Sequence, residues 1–101
     1  MDIVSGIKLP VESVAEVCRR YRVKELSVFG SAVRGDMRAD SDIDVMVEFE
    51  PDARIGLLKF MSLGEDLERL FGRKVDLVTK RGLKPWVRPN VLREAQVVYA
   101  A

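Results

Sequence analysis

Three aspartates carry the clearest chemistry in this sequence. Asp42 and Asp44 flank Ile43 in "DSDIDVMVEF", at the entrance of an alternating segment, and Asp76 sits inside "KVDLVT". Residues two apart on a strand share a face, with Cα atoms about 6.6 Å apart at a rise of about 3.3 Å per residue. Carboxylates that close repel each other unless a cation joins them, and oxygen ligands are what Mg²⁺ prefers. If the strand of Asp76 pairs beside that of Asp42 and Asp44, with Val75 and Leu77 on the core side, all three acids meet along one edge. Such a trio can hold two Mg²⁺ ions; paired metals ~3.5–4 Å apart clamp the attacking and leaving oxygens of an in-line phosphoryl displacement. A lone D-x-D is common enough to be only the solvated face of a strand. The third acid, and a Gly-Ser a dozen residues upstream, favour the metal site.

That Gly-Ser is Gly30 and Ser31, in "VFGSAVRG". Glycine lets a phosphate approach the backbone with no Cβ in the way, and free N–H groups at a helix start attract anions. The Ser31 hydroxyl can donate to a phosphate oxygen, or it only caps its own helix. Arg34, one turn on, can touch a phosphate or the leaving group, or pair with Asp36 or Asp40. Arg38, Lys80 and Arg81 are alternative phosphate contacts, although surface charge explains each of them. Asp36 and Asp40 fit the structuring of a polar turn better than metal binding.

Composition removes most other chemistries. The 101 residues contain no histidine and one cysteine, Cys18. Ser-His-Asp triads, Cys-His pairs and His- or thiolate-based zinc sites are therefore excluded, as is an intrachain disulfide. Lys plus Arg number 17 against 16 Asp plus Glu, a formal net charge of +1. A general nucleic-acid binder would be strongly basic, so general nucleic-acid binding is not expected. No run approaches the ~20 apolar residues that a membrane helix needs. "MDIVSGIK" lacks the basic start and apolar core of a signal peptide. A cytoplasmic protein and one domain over 1–101 are the expectation.

The elements that must position these residues follow from periodicity. Val11, Val14, Ala15 and Cys18 recur at helical spacing behind Pro10, predicting a helix over about 10–22. "KELSVFG" predicts a strand over about 24–29, followed by one or two helical turns in "SAVRG". In "IDVMVEF", Ile43, Val45, Val47 and Phe49 face one way, opposite Asp42, Asp44, Met46 and Glu48. An amphipathic helix over about 54–71 stops at Gly72. The third strand is "KVDLVT". A last helix covers part of 84–95, with Pro89 either starting or kinking it, and "QVVYA" reads as a short final strand. The order implies an α/β fold, a small sheet flanked by helices. Leu83, Trp86 and Val87 are either an apolar patch for a partner or part of the core.

Taken together, "GSAVRGDMRADSDIDVMVEF" and "KVDLV" resemble the nucleotidyltransferase superfamily of the DNA polymerase beta type, and more closely its minimal nucleotidyltransferases. The resemblance runs over essentially the whole chain and includes the closing "VLREAQVVYA". It implies a small mixed β-sheet flanked by helices, like the polymerase beta palm. It implies that Gly30 and Ser31 hold the triphosphate of ATP, and that Asp42, Asp44 and Asp76 bind Mg²⁺ and catalyse transfer of AMP to a hydroxyl. Many minimal nucleotidyltransferases are similar to antitoxins that adenylylate a tyrosine of a HEPN-domain toxin, and that partner is implied here too. Pro89 departs from the pattern and puts in question the last helix and any partner surface on it.

Two other readings compete: a non-catalytic module that blocks a partner by contact, and a transferase acting on a small molecule or an RNA end. Retention of Asp42, Asp44 and Asp76 argues against the first. The lack of room for a substrate domain and the near-neutral charge argue against the second.

Overall fold

Among the described residues, four strands and four helices alternate along the chain. The computed structural model describes residues 9–35, 38 and 40–101. Helix α1 spans Val11–Arg20, strand β1 Val23–Phe29, the one-turn helix α2 Ser31–Arg34 and strand β2 Ile43–Phe49. Helix α3 spans Leu57–Phe71, strand β3 Val75–Thr79, helix α4 Arg88–Glu94 and strand β4 Gln96–Ala100. Pro89 stands in the first turn of α4, where its missing N–H costs nothing, so it starts the helix rather than kinking it.

The sheet is mixed, in the order β3-β2-β1-β4. Strands β1 and β2 are antiparallel, β4 is antiparallel to β1, and β3 runs parallel to β2. The parallel pair is joined through α3, the crossover such a pair requires. On one face α1 packs on β1 and β4, α3 packs on β3, and the two helices touch. Their buried side chains, Val14, Val17, Cys18, Leu63, Leu67 and Phe71, close over Leu26, Val28, Ile43, Val45 and Val47. Alternation along β2 sends Ile43, Val45 and Val47 into this core. The opposite face is not simply wet, because Ser27 and Met46 are also buried there.

Two boundaries differ from the periodicity. Helix α1 ends at Arg20, and Arg22 takes a left-handed conformation with φ 58°. Its guanidinium donates to Glu50 at 2.7 and 2.9 Å and to Asp52 at 2.7 Å. Those bonds hold the loop after β2, and α3 begins at Leu57 behind Gly56 rather than near 54. Its C-terminal stop is as expected: Gly72 has φ 68° and donates to the Glu68 carbonyl at 2.8 Å, the left-handed cap that glycine favours.

Candidate active site at the β1–β2–β3 strand ends

Asp44 is the centre of the site. Strand pairing sets Phe29 opposite Asp44 on one side and Asp76 opposite Asp44 on the other. Val75 and Leu77 pack against the core, so Asp76 projects to the same side of the sheet as Asp44. Asp42 lies just before β2, two residues from Asp44. The entry to β3 is tied down twice: Val75 N–H donates to the Glu68 carboxylate at 3.0 Å, and Ile43 N–H donates to the Lys74 carbonyl at 2.9 Å. The approach to Asp42 is tied as well. Arg38 N–H donates to Ser41 Oγ at 2.9 Å, Ser41 N–H donates to the Arg38 carbonyl at 3.1 Å, and Arg73 donates to that carbonyl at 2.9 Å. Arg38 thus serves the turn through its backbone.

The acids feel one another. Burial pushes the Asp44 carboxyl above the usual carboxylate range, the charges of Asp76 and Asp42 push it further, and Arg34 opposes them. Such an all-oxygen donor set, strained by like charge, suits a hard divalent cation. Among the described residues, no three acidic, histidine or cysteine side chains are already gathered as a metal cluster. The strands bring the three positions together without closing the side chains into a cage.

Gly30 forms the corner beside Asp44. It has φ 73° and ψ −146°, a region open essentially to glycine alone. A Cβ there would overlap an Asp44 carboxylate oxygen and stand 3.2 Å from Cγ. The Gly30 carbonyl accepts from Val33 and Arg34 N–H, each at 3.0 Å, starting α2 at Ser31. Ser31 is the first residue of that helix, and Gly30 is its N-cap, with no side-chain capping bond.

Arg34 makes a pair far beyond its own loop. It reaches across to Glu94 at the end of α4, with Nη1 3.2 Å from Oε2 and 3.3 Å from Oε1. Glu94 Oε1 also accepts from Gly30 N–H at 3.0 Å. The expectations for Asp36 fall outside the described residues. Glu94 is a site residue that periodicity does not mark, since its partners are 60 and 64 positions away.

Phe29, Gly30, Arg34, Asp44, Val87, Asn90 and Glu94 line an open groove of about 480 Å³, with α4 as its far wall. Of the alternative cations, Lys80 lies 3.7 Å from Glu48, and with Arg81 lines a separate cavity of about 430 Å³ that includes none of the three aspartates. Trp86 is 72% exposed rather than in the core, with the Lys84 ammonium 5.5 Å from its ring centroid. Among the described residues, no helix is long and apolar enough to cross a membrane.

Comparison with known proteins adds to this geometry. Residues 12–98 match the family described as the nucleotidyltransferase domain. The chain is 50% identical over 84 residues to the protein adenylyltransferase MntA of Thermococcus cleftensis, covering 83% of this chain and 81% of that protein. A solved structure provisionally described as a minimal nucleotidyltransferase superposes with a TM-score of 0.72 at 44% identity, covering 85% of this chain and 86% of that one. A chain from a complex of tri-AMPylated Shewanella oneidensis HEPN toxin with MNT antitoxin superposes with a TM-score of 0.63. The coverage is 90% of this chain and 70% of that one, and at 17% identity the likeness is one of fold.

Proposed function

The chain belongs to the nucleotidyltransferase domain family, and from that premise we propose that it moves AMP from ATP onto a tyrosine hydroxyl of a HEPN-type toxin, acting as its antitoxin. Two findings support the acceptor class: a relative at 50% identity is named a protein adenylyltransferase, and a fold neighbour comes from a complex with an AMPylated HEPN toxin. The observation that carries the reading is the register that sets Asp44 between Asp76 and the Gly30 corner.

Asp42, Asp44 and Asp76 would hold Mg²⁺, with room in the donor set for two ions. Bound magnesium supplies neutralisation of the charge on the transferred phosphoryl and the departing pyrophosphate. Gly30 and Ser31 seat the triphosphate, and Arg34 contributes its positive charge. Asp76 is exposed at the outer strand of the sheet, and in this reading it accepts the proton of an incoming hydroxyl. The chain offers no histidine for that task.

The test uses labelled ATP, Mg²⁺ and the product of the gene neighbouring that of this chain, assayed as the proposed toxin. Label on the toxin that is lost with Asp44→Asn supports the proposal. Toxin inhibition by Asp44→Asn without label would instead establish blocking by contact. Absence of both ATP binding and transfer would overturn the enzymatic reading.

A further inference from the structure

With one carboxylate, Glu94 takes up two groups well suited to a phosphate. Gly30 N–H donates to its Oε1 at 3.0 Å, and Arg34 Nη1 bonds both oxygens, at 3.3 and 3.2 Å. A backbone N–H at a glycine corner combined with a guanidinium is the donor set of a phosphate oxygen. The side chain is held firmly, 28% exposed, across the groove from Asp44.

The Arg34 charge favours a carboxylate here, and the nearby Asp44 opposes it. After burial and the Asp76 and Asp42 charges, Glu94 adds to the forces raising the Asp44 carboxyl. Glu94 therefore stays on the strength of Gly30 and Arg34, against the local repulsion. A backbone N–H serves one acceptor well at a time, so a triphosphate entering this corner competes with Glu94 for the same donors.

We infer that Glu94 is a built-in stand-in for a phosphate oxygen, which keeps the Gly30–Arg34 corner shaped until the triphosphate displaces it and thereby sets the affinity for ATP. The inference rests on the reading of that corner as the phosphate seat. Glu94 is a positioning residue in this account, because it acts through Gly30 and Arg34.

The test compares wild type, Glu94→Gln and Glu94→Asp. Gln removes the charge while keeping the shape, and Asp keeps the charge while withdrawing the reach. Calorimetric titration with Mg·ATP and with inorganic tripolyphosphate is expected to show both ligands bound roughly fivefold tighter by either variant, the scale of one partly exposed charge-assisted contact. The KM for ATP should fall without a matching fall in kcat, and thermal melts report whether each variant is folded. Unchanged or weaker binding by the folded variants, with wild type binding normally, overturns the role of Glu94 alone. Binding of neither ligand by wild type overturns the nucleotide site and this inference with it. Loss of fold in both variants also overturns it, since a displaceable group is not a structural keystone.

Discussion

Asp44 and Asp76 stand directly across from one another on neighbouring parallel strands, two like charges in register. Directly opposed like charges destabilise a sheet by about 0.2–1 kcal/mol. Asp76→Asn should therefore raise stability by about that amount in urea melts containing a chelator. The same substitution should lower label transfer at least ~10²-fold, the lower end of what a positioned general base contributes. A variant that loses both stability and transfer would show that Asp76 serves the fold.

Gly30→Ala should damage fold and function together. The new methyl would overlap the Asp44 carboxylate, at a φ of 73° that alanine resists. A cost of about 1–3 kcal/mol is expected from backbone strain. Because Asp44 must move aside to admit the methyl, transfer should drop even under conditions where the variant is fully folded. Denaturant melts and label transfer on the same preparation separate the two effects.

The sequence carries the frame of this site plainly and its closure not at all. Alternation in "IDVMVEF" and "KVDLVT" tells which residues face the core, so pairing of the two strands is enough to bring Asp76 beside Asp44. The Gly30 corner is legible because only glycine suits a strand end that must turn tightly against a neighbour. The Arg34–Glu94 pair is a different matter. It joins α2 to α4 across the molecule, and no local rule ranks Glu94 above the acids nearer in sequence. The late start of α3 has the same origin. Residues 54–56 suit a helix by pattern, but Arg22, far away in sequence, grips Glu50 and Asp52 in a turn, and the helix begins only at Leu57.

The joint between the two large helices gives a prediction remote from the groove. Tyr21 OH donates to Asp66 Oδ2 at 2.8 Å, and Asp66 also pairs with Arg69 and lies 3.6 Å from Arg20. Tyr21→Phe removes the hydroxyl and keeps the packed ring. It should cost about 0.5–1.5 kcal/mol, the range for one hydrogen bond, with label transfer unaltered at temperatures where the variant stays folded. A loss of transfer would show that the α1–α3 joint influences the groove.

Cys18 should behave as a silent thiol. It is 0% exposed, and burial pushes its thiol up to about 12, against a smaller opposing pull from Arg19. A raised thiol pKa means less thiolate at every pH below it, and thiolate is the reactive form. Alkylation at pH 8 should therefore proceed only through opening of the core, with a rate that climbs with urea in step with unfolding. Fast modification in native buffer would contradict the packing of α1 on the sheet.

In the order β3-β2-β1-β4, Asp76 rides on an outermost strand while Asp44 rides on an inner one. Strand borders open more readily than sheet centres. One wall of the proposed magnesium site therefore belongs to the part of the sheet that breathes first, and the other to the part that breathes last. A cation bridging the two would act as a staple along that border. Amide protons of Val75–Thr79 should then exchange with deuterium markedly more slowly once Mg·ATP is added, while those of Val23–Phe29 change little. Substrate binding would in this way also be a means of finishing the sheet.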